Sequence, residues 1–197
     1  MGFFLQQKRE VMTESSIFDI IADLDTPVSA FMKLRDLQPR FLLESVEGGE
    51  RLARYSFLGF GDASTVSLEH NDLYLDEKVI GQPKSQIEYL QSLRELLSVA
   101  PQLTPSIDDL PFSGGLVGVS GYDIIRLFEE LPTLTKPQEN LPRAIFVMPT
   151  SVLVFDHLTR RAALLHAGSE TARKQLKQQV IQCLRASLPV DEEPSTF

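Results

Sequence analysis

Phe41-Leu42-Leu43-Glu44-Ser45-Val46-Glu47-Gly48-Gly49-Glu50-Arg51-Leu52-Ala53-Arg54-Tyr55-Ser56-Phe57-Leu58-Gly59 holds two apolar runs around a polar, glycine-broken middle. Three large apolar residues in a row, closed by Glu44-Ser45, read as a buried strand. Gly48-Gly49 breaks the chain, and Arg54 to Gly59 resumes as a second strand. A strand that ends in Leu43-Glu44-Ser45 delivers a carboxylate and a hydroxyl to the edge of a core. Arg54, Tyr55 and Ser56 enter the neighbouring strand and are expected to face the same spot.

Working outward, Thr65-Val66-Ser67-Leu68 and Leu73-Tyr74-Leu75 flank Asn71-Asp72, a β-hairpin signal. Further strands are predicted over Ala144–Met148, Ser151–Phe155 and Ala162–His166, with Asp156 to Arg160 as the last turn. Gly114 to Gly121 is an apolar, glycine-rich strand that implies close backbone approaches, and Tyr122 to Phe128 a short helix. Three longer helices complete the pattern. Thr26-Pro27 caps and opens the first, with Val28, Phe31, Leu34 and Leu37 as its apolar stripe and Pro39 as its end. Ser85-Gln86-Ile87-Glu88 is a capping box ahead of Ile87, Leu90, Leu93, Leu96 and Leu97. The last helix starts near Ser169 and aligns Ala172, Leu176, Val180, Leu184 and Leu188. The predicted class is α+β, a largely antiparallel sheet covered by helices. One domain over residues 16–190 is expected, with a flexible extension at 1–15, a surface loop at 133–142 and an acidic tail at 191–197.

Among 197 residues, 19 Lys and Arg face 27 Asp and Glu, a formal charge of −8. That balance argues against a nucleic-acid partner, which requires clustered excess cation. No apolar run approaches the roughly 20 residues that span a bilayer, so no membrane segment is expected. Cys183 is alone, which excludes an internal disulfide and a thiolate metal site. With no secretory signal at the start, a cytoplasmic location is expected.

Phosphate-loop, dinucleotide, zinc-protease and serine-hydrolase motifs are absent. His70, His157 and His166 lack metal-ligand spacing and read as solvated; Cys183 reads as a core or boundary residue. Gly115, Gly118 and Gly121 serve packing or, less in keeping with their spacing, a phosphate. Two readings stand for the polar residues of 44–56. Glu44 and Arg54 form a solvated cross-strand pair contributing about 0–1 kcal/mol. Alternatively they hold a zwitterion, Glu44 taking an ammonium and Ser45 or Arg54 a carboxylate, through charge-assisted hydrogen bonds of about 1.5–3 kcal/mol each.

Asp25 to Phe31 and the whole stretch 41–59 resemble the start of component I of anthranilate synthase. Gly114 to Asp123, with Arg126, Glu129 and Leu131-Pro132, is similar to that family's next signature, and Val154-Phe155-Asp156-His157 to the strand and turn that follow. The likeness runs from about 16 to 188; Val119 departs from it, standing where the family often has an aromatic residue. It implies a tryptophan-binding feedback pocket at Leu43, Glu44 and Ser45, with Arg54, Tyr55 and Ser56 in a motif beside it. It further implies an enzyme that converts chorismate and glutamine-derived ammonia to anthranilate, working with a glutamine amidotransferase subunit. The family's chorismate site and Mg2+ belong to a carboxy-terminal half whose asparagine-proline-serine-proline-tyrosine, glycine-threonine-arginine-proline and aspartate-leucine-x-arginine-asparagine signatures do not occur here. The expectation is therefore the amino-terminal regulatory portion, split or cut from that half, with no catalytic residues or cofactor of its own. The related aminodeoxychorismate synthase component shares the fold and a similar pocket, but Glu44 to Gly49 favours anthranilate synthase. A stand-alone amino-acid-binding module is the remaining alternative.

Overall fold

A computed structural model describes residues 17–44, 54–129 and 141–189. Its spine is two long antiparallel strands, β3 (Tyr55–Glu69) and β7 (Ala144–Asp156). Around them lie β1 (Ile20–Ile21), β2 (Pro39–Leu43), β4 (Asp72–Leu75), β5 (Lys78–Gly81), β6 (Val117–Ser120) and β8 (Arg161–His166). The described residues form one eight-stranded sheet of order β1-β8-β7-β3-β4-β5, with β2 added to β3 and β6 to β7. Every pairing is antiparallel. The expected α+β class is what the chain adopts.

Sequence punctuation suggested that each spine strand is two. Gly59 and Gly61 interrupt one, and Pro149 the other. The structure runs through both because the breakers meet. The ladder shifts register between Phe60 and Ala63, opposite Ser151 and Pro149, and Gly61 takes φ +79 there. A bulge tolerates a left-handed glycine in one strand and a proline without an N–H in the other. Partners also change at this point. The first half of β3 holds β2 and the second β4, while β7 holds β6 before the bulge and β8 after it.

Helix α1 (Pro27–Lys33) is shorter than its apolar stripe predicts. Thr26 Oγ1 accepts from the Ser29 N–H and Ser29 Oγ from the Thr26 N–H, a reciprocal cap, but a 3-10 turn (Arg35–Leu37) follows and Val28 is exposed. Pro27, Ala30 and Leu34 are buried instead. The second helix, α2 (Gln86–Ser98), starts at Ser85 as expected; Glu88 reaches one residue further back, to the Lys84 N–H. Ile87 and Leu97 are exposed, and Tyr89 and Leu96 supply the buried face. Helix α3 (Glu170–Arg185) buries Val180 and Leu184.

Alternation along the strands then distributes the core. Leu58, Phe60, Leu153, Phe155 and Leu164 meet α1 and α3 on one face. Phe57, Val152, Val154 and Leu165 meet Phe18 and the segment 103–112 on the other. That second face continues past the bulge as Val66, Leu68, Ala144 and Met148 under α2. Beyond the bulge the first face stays open, where Val119 and Ile145 are cross-strand partners 67% and 38% exposed. Residues 1–15 and 191–197, assigned above as extension and tail, and most of the 133–142 loop lie outside the described residues.

Candidate functional site

Strand β2 pairs with β3 so that Phe41 faces Gly59, Leu42 faces Leu58 and Leu43 faces Phe57. Gly59 is required by this arrangement, since a Cβ there would enter the Phe41 ring. Phe41 and Phe57 both meet Phe112 edge-on, with centroids 6.1 and 5.4 Å apart. Tyr55 stacks on Phe18 at 6.2 Å and tilts against Phe57 at 6.4 Å. The end of β2 thus opens beside an aromatic ledge. Leu43 is 39% exposed, contrary to the fully buried strand expected, and Glu44 follows it into solvent. Ser45 lies outside the described residues.

The start of β3 is fixed from β7. Asp156 is paired in register with Tyr55, and its carboxylate takes Arg54 side-on: Nε to Oδ1 at 3.2 Å and Nη2 to Oδ2 at 2.8 Å. Oδ1 also accepts from the backbone N–H groups of Leu158 and Thr159, so one buried carboxylate closes the β7–β8 turn and anchors the guanidinium. Burial alone would raise the Asp156 pKa; the Arg54 hydrogen bond, the turn N–H groups and the Arg54 charge outweigh it and hold the group below its ordinary value. Arg54 also lies over the Tyr55 ring, 4.7 Å from its centroid, in cation–π contact.

The expectation that Arg54, Tyr55 and Ser56 face one spot is corrected here. Strand residues alternate, so Tyr55 shares a face with Phe57 while Ser56 turns to the opposite one, paired in register with Phe155. Ser56 is buried, and its Oγ lies 2.8 Å from His157 Nε2. The solvated reading of the histidines holds for His70 and His157, which are exposed, although His157 also bonds Ser56; His166 departs from it, half-buried with its Nδ1 3.0 Å from the buried Ser151 Oγ. Nor does a solvated Glu44–Arg54 pair describe Arg54, whose carboxylate partner is Asp156.

Sequence reading placed Asp156 and His157 in the last turn and gave neither a side-chain partner, yet a signal was there. An aspartate followed by two turn residues is the pattern of a carboxylate capping its own turn. What it cannot reveal is Arg54, 102 positions away. Cys183 sits at the margin of the first core, where burial, and less so Asp36, raise its pKa. Among the described residues no three His, Cys, Asp or Glu side chains converge as metal ligands. No helix among them is long and apolar enough to cross a membrane.

Comparison with known proteins sets this geometry in context. The profile described as "chorismate binding enzyme" matches residues 38–196. Anthranilate synthase component 1 of Thermus thermophilus is 37% identical over 151 residues, covering 76% of this chain and 31% of that protein. The Synechocystis protein of the same name is 36% identical over 198 residues, covering 90% of this chain and 37% of its own length. The crystal structure of anthranilate synthase component I from Streptococcus pneumoniae superposes with a TM-score of 0.56 at 27% identity, over 86% of this chain and 37% of that one. The chain spans about a third of the length of the curated relatives it matches. Matched over most of its length by that profile, and similar to these synthases in sequence and fold, the chain belongs to the chorismate binding enzyme family.

Proposed function

We propose that this chain is the amino-terminal, tryptophan-binding regulatory portion of an anthranilate synthase component 1. In this reading Leu43, Glu44 and Ser45 contact L-tryptophan: the carboxylate takes its ammonium, the hydroxyl its carboxylate, and the aromatic ledge beside Tyr55 its indole. Arg54 and Ser56, held by Asp156 and His157, keep the start of β3 in place and bound the pocket rather than fill it. The observation that carries the reading is the β2–β3 register, which sets Leu43 opposite Phe57 and next to Tyr55. Likeness to anthranilate synthase component 1 in sequence and fold supports the ligand class.

The complete enzyme in this proposal turns chorismate and glutamine-derived ammonia into anthranilate in the cytoplasm. A glutamine amidotransferase subunit supplies the ammonia, and the remaining two thirds of the protein the magnesium and the elimination chemistry. The open sheet face at Val119 and Ile145 is where that remainder packs. Tryptophan inhibits by binding the inactive arrangement more tightly, and the affinity difference, of order 1–3 kcal/mol, sets the shift in population.

The test is reconstitution with the remaining part of the enzyme. Ser45→Phe should raise the tryptophan concentration needed for inhibition while anthranilate formation persists, and unchanged inhibition would exclude the pocket. Complementation separates the pathways. Rescue of a tryptophan auxotroph supports the assignment, whereas rescue of only a para-aminobenzoate auxotroph would replace it by aminodeoxychorismate synthase.

A further inference from the structure

We propose that a second cleft, distant in sequence from the β2–β3 site, binds a small molecule through a phosphate group. It lies between the β3–β4 turn, the entry to α2 and the 3-10 segment Tyr122–Leu127, and encloses about 640 Å³. That volume falls within the usual range for small-molecule sites. Lys84, Arg126 and Arg143 line it, with His70, Gln82 and, among the described residues, one carboxylate, Asp72. Among the described residues the lining carries more cations than carboxylates, against a formal charge of −8 for the chain.

How these charges are held supports a ligand. Arg143 donates to the carbonyl oxygens of His70 and Asp123, each at 3.0 Å. Carbonyls fix the guanidinium without neutralising it, so its charge and remaining N–H groups stay available in a preset orientation. Asp72 is occupied by the Gln82 amide at 2.6 Å. Arg126 pairs with Asp123, an exposed contact at 3.3 Å whose carboxylate does not line the cleft. The Lys84 ammonium enters no ion pair among the described residues; only its backbone N–H is used, by Glu88. Behind this group Tyr89 is 3% exposed, and its hydroxyl has no hydrogen-bond partner at good geometry among the described residues. Burial raises the Tyr89 pKa, with Ser120 and Arg143 pulling it down, so the phenol is a neutral donor within the field of Arg143. Planar guanidinium and point-charge ammonium together suit a tetrahedral dianion better than a single carboxylate.

The experiment titrates the full 197-residue chain with inorganic phosphate at constant ionic strength, read by calorimetry and by thermal shift, with citrate as the carboxylate control. Arg143 ties the β3–β4 turn and its loss risks misfolding, so the variant is Lys84→Glu. Saturable phosphate binding that weakens at least tenfold in Lys84→Glu, with the unliganded melting temperature unchanged, supports the site. A linear, non-saturating response, or equal binding by both proteins, overturns it. Citrate binding as tight as phosphate would overturn the phosphate assignment. None of these outcomes depends on whether tryptophan binds at β2–β3.

Discussion

Asp156 makes more of one carboxylate than any other described side chain, joining a turn, a register and the guanidinium beside Tyr55. Replacing it by asparagine keeps the shape and removes the charge that opposes Arg54. Unpairing a buried ion pair costs about 3–5 kcal/mol, and because Arg54 retains 30% exposure the expected loss falls at or below the low end of that range, about 2–3 kcal/mol. Urea unfolding measures it; a loss under 1 kcal/mol would mean that the turn alone holds the strand. The pH dependence has a definite sign. A carboxylate whose folded pKa is lowered stabilises the fold above its unfolded pKa, and this stabilisation is lost as pH falls through the folded value. The Asp156 share of stability should therefore be intact at neutral pH and fade only below 3.8, the group's ordinary value. Asp156→Asn should flatten that acid limb. The sequence made the turn legible through Asp156 and the apolar partners through Phe41 to Leu43, but not the pairing of Arg54. Long-range ion pairs leave no local periodicity.

At the scale of elements, breakers and propensities named the strands better than their limits. Hairpin β3–β4, strand β8 and the starts of α1, α2 and α3 were readable because caps and turns are local. Spine lengths were not, since a glycine kink in one strand is compensated by a proline in another 88 positions on, as Gly61 and Pro149 show. The glycine-rich segment was read correctly as a close approach. A Cβ on Gly118 would land on the Ile145 carbonyl oxygen and the Phe146 Cα, both backbone atoms that cannot yield. Gly118→Ala should detach β6 from β7 at a cost of about 1–3 kcal/mol, the usual scale of overpacking. Hydrogen exchange would show it as lost protection in Val117–Ser120 while β8 stays protected, and intact β6 protection would refute the close approach. For α2, Leu96→Ala should cost about 2–5 kcal/mol and Ile87→Ala within 0.5, since only the first is buried. Periodicity placed both on the apolar face, because it cannot tell which edge of a stripe the sheet reaches.

For the whole molecule, the two faces of the sheet are unequally covered. Helices and the segment 103–112 close most of it, and Val119 with Ile145 stays open. If that face receives the rest of the enzyme, Val119→Lys should leave the stability of this chain within about 0.5 kcal/mol of the parent, as a surface change does. It should nonetheless abolish reconstitution with the remainder, assayed by co-purification, and undiminished reconstitution would move the contact elsewhere. This asymmetry is not legible in the local pattern of residues and emerges only when the β3–β7 register is known. The spine also fixes a timetable for synthesis. Arg54 and Asp156 are 102 positions apart, so at ribosomal speeds about 5–20 s pass between the making of β3 and the making of the strand that pairs along its length. Through that interval a fifteen-residue strand offers an unclaimed edge to any other chain. Yield in the cell should accordingly depend on chaperone capacity and translation rate more than on the stability of the finished fold.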